Sequence, residues 1–81
     1  MLVVQPSLSI IIPVFNEEER IGATLNVVVN FLKTRDYAWE IVVSDDGSTD
    51  STVSVVKQFI NVGSDVKLLQ LVEWLKFYNQ T

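Results

Sequence analysis

Residues 9–17 read SIIIPVFNE and residues 41–50 read IVVSDDGSTD, and these two stretches indicate the fold class most clearly. Each begins with β-branched residues, which are typical of a strand buried on both faces of a parallel sheet. Each then passes into a short polar segment that favours a turn. Apolar residues recur at helical spacing between them, so the segment predicts a β-α-β unit with parallel strands and a right-handed crossover.

Outward from these stretches the chain alternates strand and helix. We predict strands over residues 7–14 and 39–44, a helix that runs to about residue 34, and a second helix over residues 50–60. The side chains expected to face the core are Ile21, Leu25, Val28, Val29 and Leu32 in the first helix and Val53, Val56, Phe59 and Ile60 in the second.

Local signals mark the ends of these helices. Asn16 is a candidate N-cap, and Glu19 completes a capping-box pattern three residues later. Glu18 and Glu19 would then complement the positive end of the helix dipole. Ser48 and Asp50 are expected to cap the second helix.

The end of the chain is less clearly patterned. Gly63 is expected to end the second helix. We predict a strand over residues 66–71 and a helix over residues 72–78, and a single helical stripe remains an alternative. Residues 1–81 then form one partial α/β domain, an open parallel sheet of order β-α-β-α-β with a C-terminal helix, and the pattern is least decisive over the tail at 72–81.

Composition limits the classes of function. The chain has no cysteine and no histidine, which excludes a disulfide framework, a thiolate metal site and a Ser-His or Cys-His pair. Its formal net charge of −4 disfavours binding to nucleic acid. Met1–Val4 lacks the charged region of a signal peptide, and no apolar run approaches the roughly 18 residues of a membrane span. We therefore expect a cytoplasmic chain.

The two polar segments follow the predicted strands at their carboxyl ends, where open parallel sheets bind ligands. Phe15 offers a ring that stacks on a nucleobase, or that packs back on the first helix. Asp45 and Asp46 offer acceptors for donors on a base edge, or for backbone N–H groups of the turn. Two adjacent acids before Gly47 exceed what most turns need, which favours ligand recognition.

Phosphate and metal chemistry need groups beyond these. Neither the G-x-x-x-x-G-K-[ST] nor the G-x-G-x-x-G phosphate loop is present, and residues 46–50 lack the order of a calcium loop. A diphosphate beside Asp45 and Asp46 would be repelled unless a divalent cation bridged the charges. Two adjacent acids do not complete such a site, so other ligands would have to come from elsewhere.

Both stretches, with their spacing, resemble the signature of family 2 glycosyltransferases. Ser9–Glu18 resembles the family's S-[IV]-[IV]-[IV]-P-x-[YF]-N-E opening, and Ile41–Asp50 resembles its I-[VI]-V-x-D-D-G-S-x-D motif. The run NEEERI at residues 16–21 is similar to the branch that makes dolichyl- or polyprenyl-phosphate sugars. The resemblance covers residues 8–59.

The resemblance implies the nucleotide-binding half of a Rossmann-like GT-A fold. The parent enzyme would be a hexosyltransferase that uses a UDP- or GDP-sugar and an acceptor such as a polyprenyl phosphate, and it would associate with a membrane. By motif position, Pro13, Phe15 and Glu17 would line the base and ribose pocket. Asp46, with Asp45, would hydrogen-bond the base.

Family members also use Mg²⁺ or Mn²⁺, held by a later Asp-x-Asp motif, and a later catalytic carboxylate. No Asp-x-Asp occurs in these 81 residues. The resemblance therefore implies that this chain carries no catalytic or metal-binding residue of the family, and that it is inactive alone.

Two other functions are weighed against this one. A truncated remnant or interaction module would self-associate through an open sheet edge, with Trp74, Phe77 and Tyr78 in the contact. A receiver-like phospho-acceptor domain also carries an acidic pair at a strand end. It would need a further Asp and a Lys on later strands, for which the chain has no room.

Overall fold

A computed structural model describes residues 6–61 and 65–70 of the chain. Within them the elements follow in the order β1 (Leu8–Val14), α1 (Ile21–Leu32), β2 (Trp39–Asp45), α2 (Thr52–Asn61) and β3 (Val66–Gln70). The strands form one parallel sheet of order β1-β2-β3. The predicted α/β class and β-α-β-α-β order are confirmed, and the alternative of one helix after residue 65 is wrong over β3.

Strand register places alternate side chains on opposite faces of the sheet. Ile10 lies opposite Ile41 and Ile12 lies opposite Val43, and these four side chains share the face that packs against both helices. Successive right-handed crossovers along one direction of strand order put both helices on that face. On the other face Ile11 is 67% exposed.

The core lies between this face and the helices. Leu25 of α1, Ile41 and Val43 of β2, and Val56 of α2 are fully buried. Each such side chain stabilises the fold by about 1.5–3 kcal/mol relative to an exposed position. The other buried apolar residues of the core are Val14, Ile21, Val29, Leu32 and Val66.

The predicted apolar faces of the helices are largely confirmed. In α1 four of the residues are buried and Val28 is partly buried against the core. In α2 Phe59 and Ile60 pack against the core beside Val56, whereas Val53 is half-buried. Val55 also packs there, and it lies close to α1, since a Cβ added to Gly22 would be 3.5 Å from Val55 Cγ1.

The predicted start of the first helix is wrong. α1 begins at Ile21, its N-cap position is Arg20, and no side chain caps it. Asn16 has φ 51° and bonds to the neighbouring loop instead, so the capping box with Glu19 does not form. Because the first turn of α1 holds no acidic residue, Glu18 and Glu19 do not serve its dipole as predicted.

The start of α2 was predicted in part. Asp50 Oδ1 accepts a hydrogen bond from the backbone N–H of Thr52 at 2.9 Å, so Asp50 caps α2 as predicted. Ser48 does not, because its Oγ accepts from the backbone N–H of Asn16. The end signal at Gly63, the helix predicted over residues 72–78 and the aromatic residues Trp74, Phe77 and Tyr78 lie outside the described residues.

Neither helix in the described part of the chain is long and apolar enough to cross a bilayer.

Candidate functional site

The carboxyl ends of β1 and β2 meet at one edge of the sheet. Val14 and Asp45 are register partners, and the backbone N–H of Asp46 donates to Val14 O at 3.0 Å. The first loop (residues 15–20) and the second loop (residues 46–51) therefore leave the sheet side by side. This is the edge at which open parallel sheets bind ligands.

Asn16 joins the two loops from the first-loop side. Its backbone N–H donates to Ser48 Oγ at 2.9 Å. Its side-chain Oδ1 accepts from the backbone N–H of Thr49 at 2.8 Å and of Asp50 at 3.4 Å. We call this set of residues (Asn16, Ser48, Thr49 and Asp50) the Asn16 clamp.

Hydrogen bonds from Glu17 and Glu18 extend the contact between the loops. The backbone N–H of Glu17 donates to Oγ1 of the fully buried Thr52 at 2.8 Å. The backbone N–H of Glu18 donates to Asp50 Oδ2 at 3.3 Å, and Glu18 Oε2 accepts from the backbone N–H of Ser51 at 3.3 Å. Six backbone N–H groups, those of residues 16–18 and 49–51, thus pair with side chains across the contact between the first loop and the segment 48–52.

Asp50 is a structural carboxylate. Desolvation is the largest single influence on its pKa and acts upward, but hydrogen bonds donated by the Thr52 side chain, the Thr52 backbone and the Glu18 backbone outweigh it. The pKa of Asp50 is therefore lowered, and the residue stays ionised near neutral pH. Its oxygens accept hydrogen bonds from the first loop and from the start of α2, so we assign no ligand to them.

The two oxygens of Asp45 have different surroundings. Oδ2 accepts from the backbone N–H groups of Gly47 at 3.2 Å and Ser48 at 3.1 Å, which is the turn role. Oδ1 is buried and has no hydrogen-bond partner among the described residues, in a side chain only 2% exposed. A buried acceptor left unpaired costs about 1–3 kcal/mol. Asp45 therefore combines one oxygen that holds the turn with a second, buried oxygen that is unpaired among the described residues.

Phe15 and Asp46 lie at the surface of the same edge. Phe15 is 54% exposed, so its ring is not packed into the core as a staple on α1. The Asp46 side chain is exposed beside the buried Asp45. The structure thus brings an exposed aromatic ring and an acidic pair together at the ends of adjacent strands.

Glu17 is committed to an ion pair with Arg20. Glu17 Oε2 accepts from Arg20 Nε at 2.8 Å and lies 2.6 Å from a terminal guanidinium nitrogen. Glu17 lines two shallow clefts, one of about 320 Å³ with Pro13 and one of about 350 Å³ with Asn16 and Asp50. Neither of these two clefts is lined by Phe15, Asp45 or Asp46, so the site residues divide into two groups.

The described residues do not fit a divalent-cation site. They contain no group of three or more acidic side chains that could hold a metal ion. Oxygens of Glu18 and Asp50 already accept from backbone N–H groups, and the unpaired oxygen of Asp45 is buried. Mg²⁺ is usually held by one or two carboxylates together with waters and substrate phosphates. Such ligands would have to come from beyond the described residues, and we assign no chemical step to a cation.

Sequence reasoning missed the role of Asn16 as a link between loops. Asn16 lies two residues after the end of β1, and Asn is enriched in the left-handed region, so a turn there was one local signal. That signal does not identify the partners, because Ser48 and Thr49 lie more than 30 residues away along the chain.

The described residues form an open parallel α/β sheet with an aromatic ring and carboxylates at the carboxyl ends of its strands, which is the edge where such sheets bind ligands. Residues 9–75 match the family described as Glycosyl transferase family 2. This chain belongs to that family, and the resemblance stated from its motifs is confirmed.

Curated relatives are enzymes of lipid-phosphate sugar synthesis. The chain is 34% identical over 74 residues to a dodecaprenyl-phosphate galacturonate synthase of Rhizobium johnstonii. The matched segment is 91% of this chain and 21% of the relative. The chain is 37% identical over 67 residues to a dolichyl-phosphate beta-glucosyltransferase of Trichomonas vaginalis, covering 76% and 21%. With the dolichyl-phosphate beta-glucosyltransferase of Saccharomyces cerevisiae it shares 50% identity over 46 residues, covering 56% and 14%. The chain thus spans about a fifth or less of the length of these relatives.

Proposed function

We propose that this chain is the nucleotide-binding part of a glycosyltransferase and binds the nucleotide of a UDP- or GDP-sugar. In the whole protein, the sugar would pass to a polyprenyl-phosphate acceptor. Family membership supports glycosyl transfer, and the names of the relatives support a lipid-phosphate acceptor. The Mg²⁺ or Mn²⁺ expected for such an enzyme would need ligands beyond the described residues.

The buried, unpartnered Oδ1 of Asp45 carries this proposal. A carboxylate oxygen in that position accepts strongly from an N–H donor. Uracil and guanine carry a ring N–H on their pairing edge, whereas adenine and cytosine have an unprotonated ring nitrogen there. A ring N–H that reaches this buried oxygen would satisfy it, which favours UDP and GDP over ADP and CDP.

The other site residues would complete the nucleotide pocket around that bond. The exposed ring of Phe15 would stack on the base, which is worth about 1–3 kcal/mol per base in single-strand binders. Asp46 would offer a second acceptor next to Asp45. Pro13 and Glu17, which share a cleft, would line the ribose side.

Titration with nucleotides tests this proposal. We expect UDP or GDP to shift the backbone signals of Phe15 and Asp46 in NMR spectra, with weaker effects from ADP and CDP. Asp45→Asn should weaken binding at least about tenfold, because a hydrogen bond to a charged group contributes about 1.5–3 kcal/mol. Asp36→Asn, a matched change at an exposed loop position, should leave binding unchanged. Shifts confined to surfaces away from Phe15 and Asp46 would overturn the assignment.

We expect no sugar transfer by this chain alone. The described residues provide neither a cation site nor an assigned catalytic carboxylate, and the chain spans only a fraction of its relatives. Incubation with labelled UDP- or GDP-sugars and a polyprenyl phosphate, with and without Mn²⁺, should give no lipid-linked sugar. Product formation that scales with the amount of chain would contradict this expectation.

Self-association is a second candidate function. The sheet face opposite the helices exposes apolar side chains, with Ile11 67% and Leu69 55% accessible. Such a face beside open strand edges favours contact with another copy. Analytical ultracentrifugation measures it directly, and a monomer at every concentration would exclude it.

A further inference from the structure

We infer that Asn16 is a positioning residue for the nucleotide site, which acts on Asp45 through Ser48 and does not itself contact the base. This inference rests on the proposed function, in which Phe15 and Asp45 bind the base. It assigns to Asn16 the task of holding the two strand-end loops in one geometry before the nucleotide arrives.

A continuous chain of hydrogen bonds connects Asn16 to Asp45. The backbone N–H of Asn16 donates to Ser48 Oγ at 2.9 Å, and the backbone N–H of Ser48 donates to Asp45 Oδ2 at 3.1 Å. These bonds hold Oδ2 in the turn and leave Oδ1 buried and unpaired among the described residues. Since Phe15 directly precedes Asn16, the same residue ties the ring-bearing backbone to the acidic one.

The backbone conformation of Asn16 makes the arrangement specific to its residue type. At φ 51° a residue lies in the left-handed region, which few residues other than Gly, Asn and Asp adopt readily. Its side-chain Oδ1 must also accept from Thr49 and Asp50. Gly meets the first requirement alone, Ala meets neither, and Asp meets both.

The Asn16 clamp lies outside the apolar core, so its effect on binding is separable from folding. Asn16 and Thr49 are exposed, and the core is built by apolar residues of the strands and helices. Fixing a binding loop before association improves affinity, because less ordering remains to be done on binding. Loss of the clamp should therefore weaken nucleotide binding in protein that remains folded.

Substitution of Asn16 tests the inference. Asn16→Gly should weaken UDP binding about tenfold, a loss equivalent to about one hydrogen bond of preorganisation. Asn16→Asp should restore binding, and uridine is the probe for this variant because it carries no phosphate for the new charge to repel. Asn30→Gly is the matched control, since Asn30 is exposed on α1. It should lower thermal stability as glycine does in a helix and leave the affinity unchanged.

Amide hydrogen exchange reports on the clamp without any ligand. The N–H of Thr49 should exchange slowly in the wild-type chain and rapidly in Asn16→Gly, and Asn30→Gly should leave it slow. Asn16→Gly removes Oδ1 but keeps the backbone N–H that bonds to Ser48. Ser48→Ala removes the acceptor for that N–H and so tests the route through Ser48, and it should also weaken UDP binding.

The outcomes separate the two proposals. A wild-type chain that binds no UDP, GDP or uridine overturns the proposed function and the positioning role with it, while exchange at Thr49 still decides whether the clamp exists. Rapid exchange at Thr49 with unchanged UDP affinity in Asn16→Gly overturns the positioning role and leaves the proposed function standing. Equal losses of affinity in Asn16→Gly and Asn30→Gly would reduce Asn16 to a stability effect.

Discussion

Among single residues, the carboxylates at and after the end of β2 have different roles. Asp45, the last residue of β2, is buried with one oxygen bound in the turn and one unpaired, whereas Asp46 is exposed. Asp50 is bonded to Thr52 and Glu18, which lowers its pKa despite the opposing effect of desolvation. Asp45 is buried because side chains alternate between the faces of a strand, and Ile41, Val43 and Asp45 lie on the core face of β2. Asp46 and Asp50 follow the end of the strand.

Gly47 makes the turn at Asp45 possible. Its φ of 83° lies in a region that residues with a Cβ adopt only at a cost of about 1–2 kcal/mol. Gly47→Ala should therefore lower the free energy of unfolding by about that amount in urea titrations, and Gly47→Asn should lower it less. Gly22→Ala is the control, because its new methyl group would meet Val55 Cγ1 at an ordinary 3.5 Å in a helix. A stability loss of equal size in both alanine variants would contradict the explanation.

Residue types at the site were easier to predict than residue contacts. Phe15, Asp45 and Asp46 were identified because they follow β-branched strands, and the structure places them at one edge as expected. The clamp was not foreseen, because Asn16 and Glu19 satisfy a local capping pattern as well as they satisfy a loop. The long-range contact between Asn16 and Thr49 of the second loop determines that Asn16 joins the loops and does not cap α1.

At the scale of elements, the strands and apolar helix faces followed from periodicity. The predicted second strand ended at Ser44 and the observed one ends at Asp45, which is an ordinary difference at an element boundary. The start of α1 was wrong by several residues because the loop takes its hydrogen bonds from a distant segment. The local sequence pattern therefore predicts the elements that pack in the core well. It predicts the ends of elements less well where tertiary contacts determine them.

A polar network joins all three strands on the face away from the helices. Glu40 of β2 accepts from Ser9 of β1 through one oxygen, and its other oxygen lies 2.8 Å from Lys67 Nζ of β3. The bond from Lys67 first, and that from Ser9 second, lower the pKa of Glu40, while the bond with Glu40 raises the pKa of Lys67. The network is complete when the glutamate is ionised and the lysine is charged.

This network predicts a pH dependence of stability. A lowered carboxyl pKa adds stability above the ordinary glutamate value of 4.5, and that stability is lost as the pH falls through the lowered pKa. The raised pKa of Lys67 adds stability that is fully present below the ordinary lysine value of 10.5. That stability is lost as the pH rises through the raised pKa. In urea titrations, the free energy of unfolding should be larger for the wild type than for Glu40→Gln at neutral pH. The two values should converge in acid. Asp36→Asn is the control, and a difference for Glu40→Gln that persists unchanged in acid would contradict the linkage.

In the whole described fold, both helices pack on one face of the sheet and leave the other face exposed. α1 and α2 lie on a single face, so Ile11 and Leu69 remain more than half exposed on the other. β1 and β3 are the edge strands of the described sheet. A net charge of −4 spread over 81 residues opposes association only weakly at physiological salt.

We therefore expect this open face to drive reversible self-association, and substitution of Ile11 tests whether it does. Ile11→Lys places a charge on an edge strand and at an exposed apolar position, both of which oppose strand or face pairing. Sedimentation equilibrium should show a concentration-dependent rise in mass for the wild type and a smaller rise for this variant. Val27→Lys is the matched control, because Val27 is 70% exposed on α1, an element on the opposite side of the sheet. If both lysine variants reduce association equally, general charge repulsion explains the effect and the sheet face is not the contact.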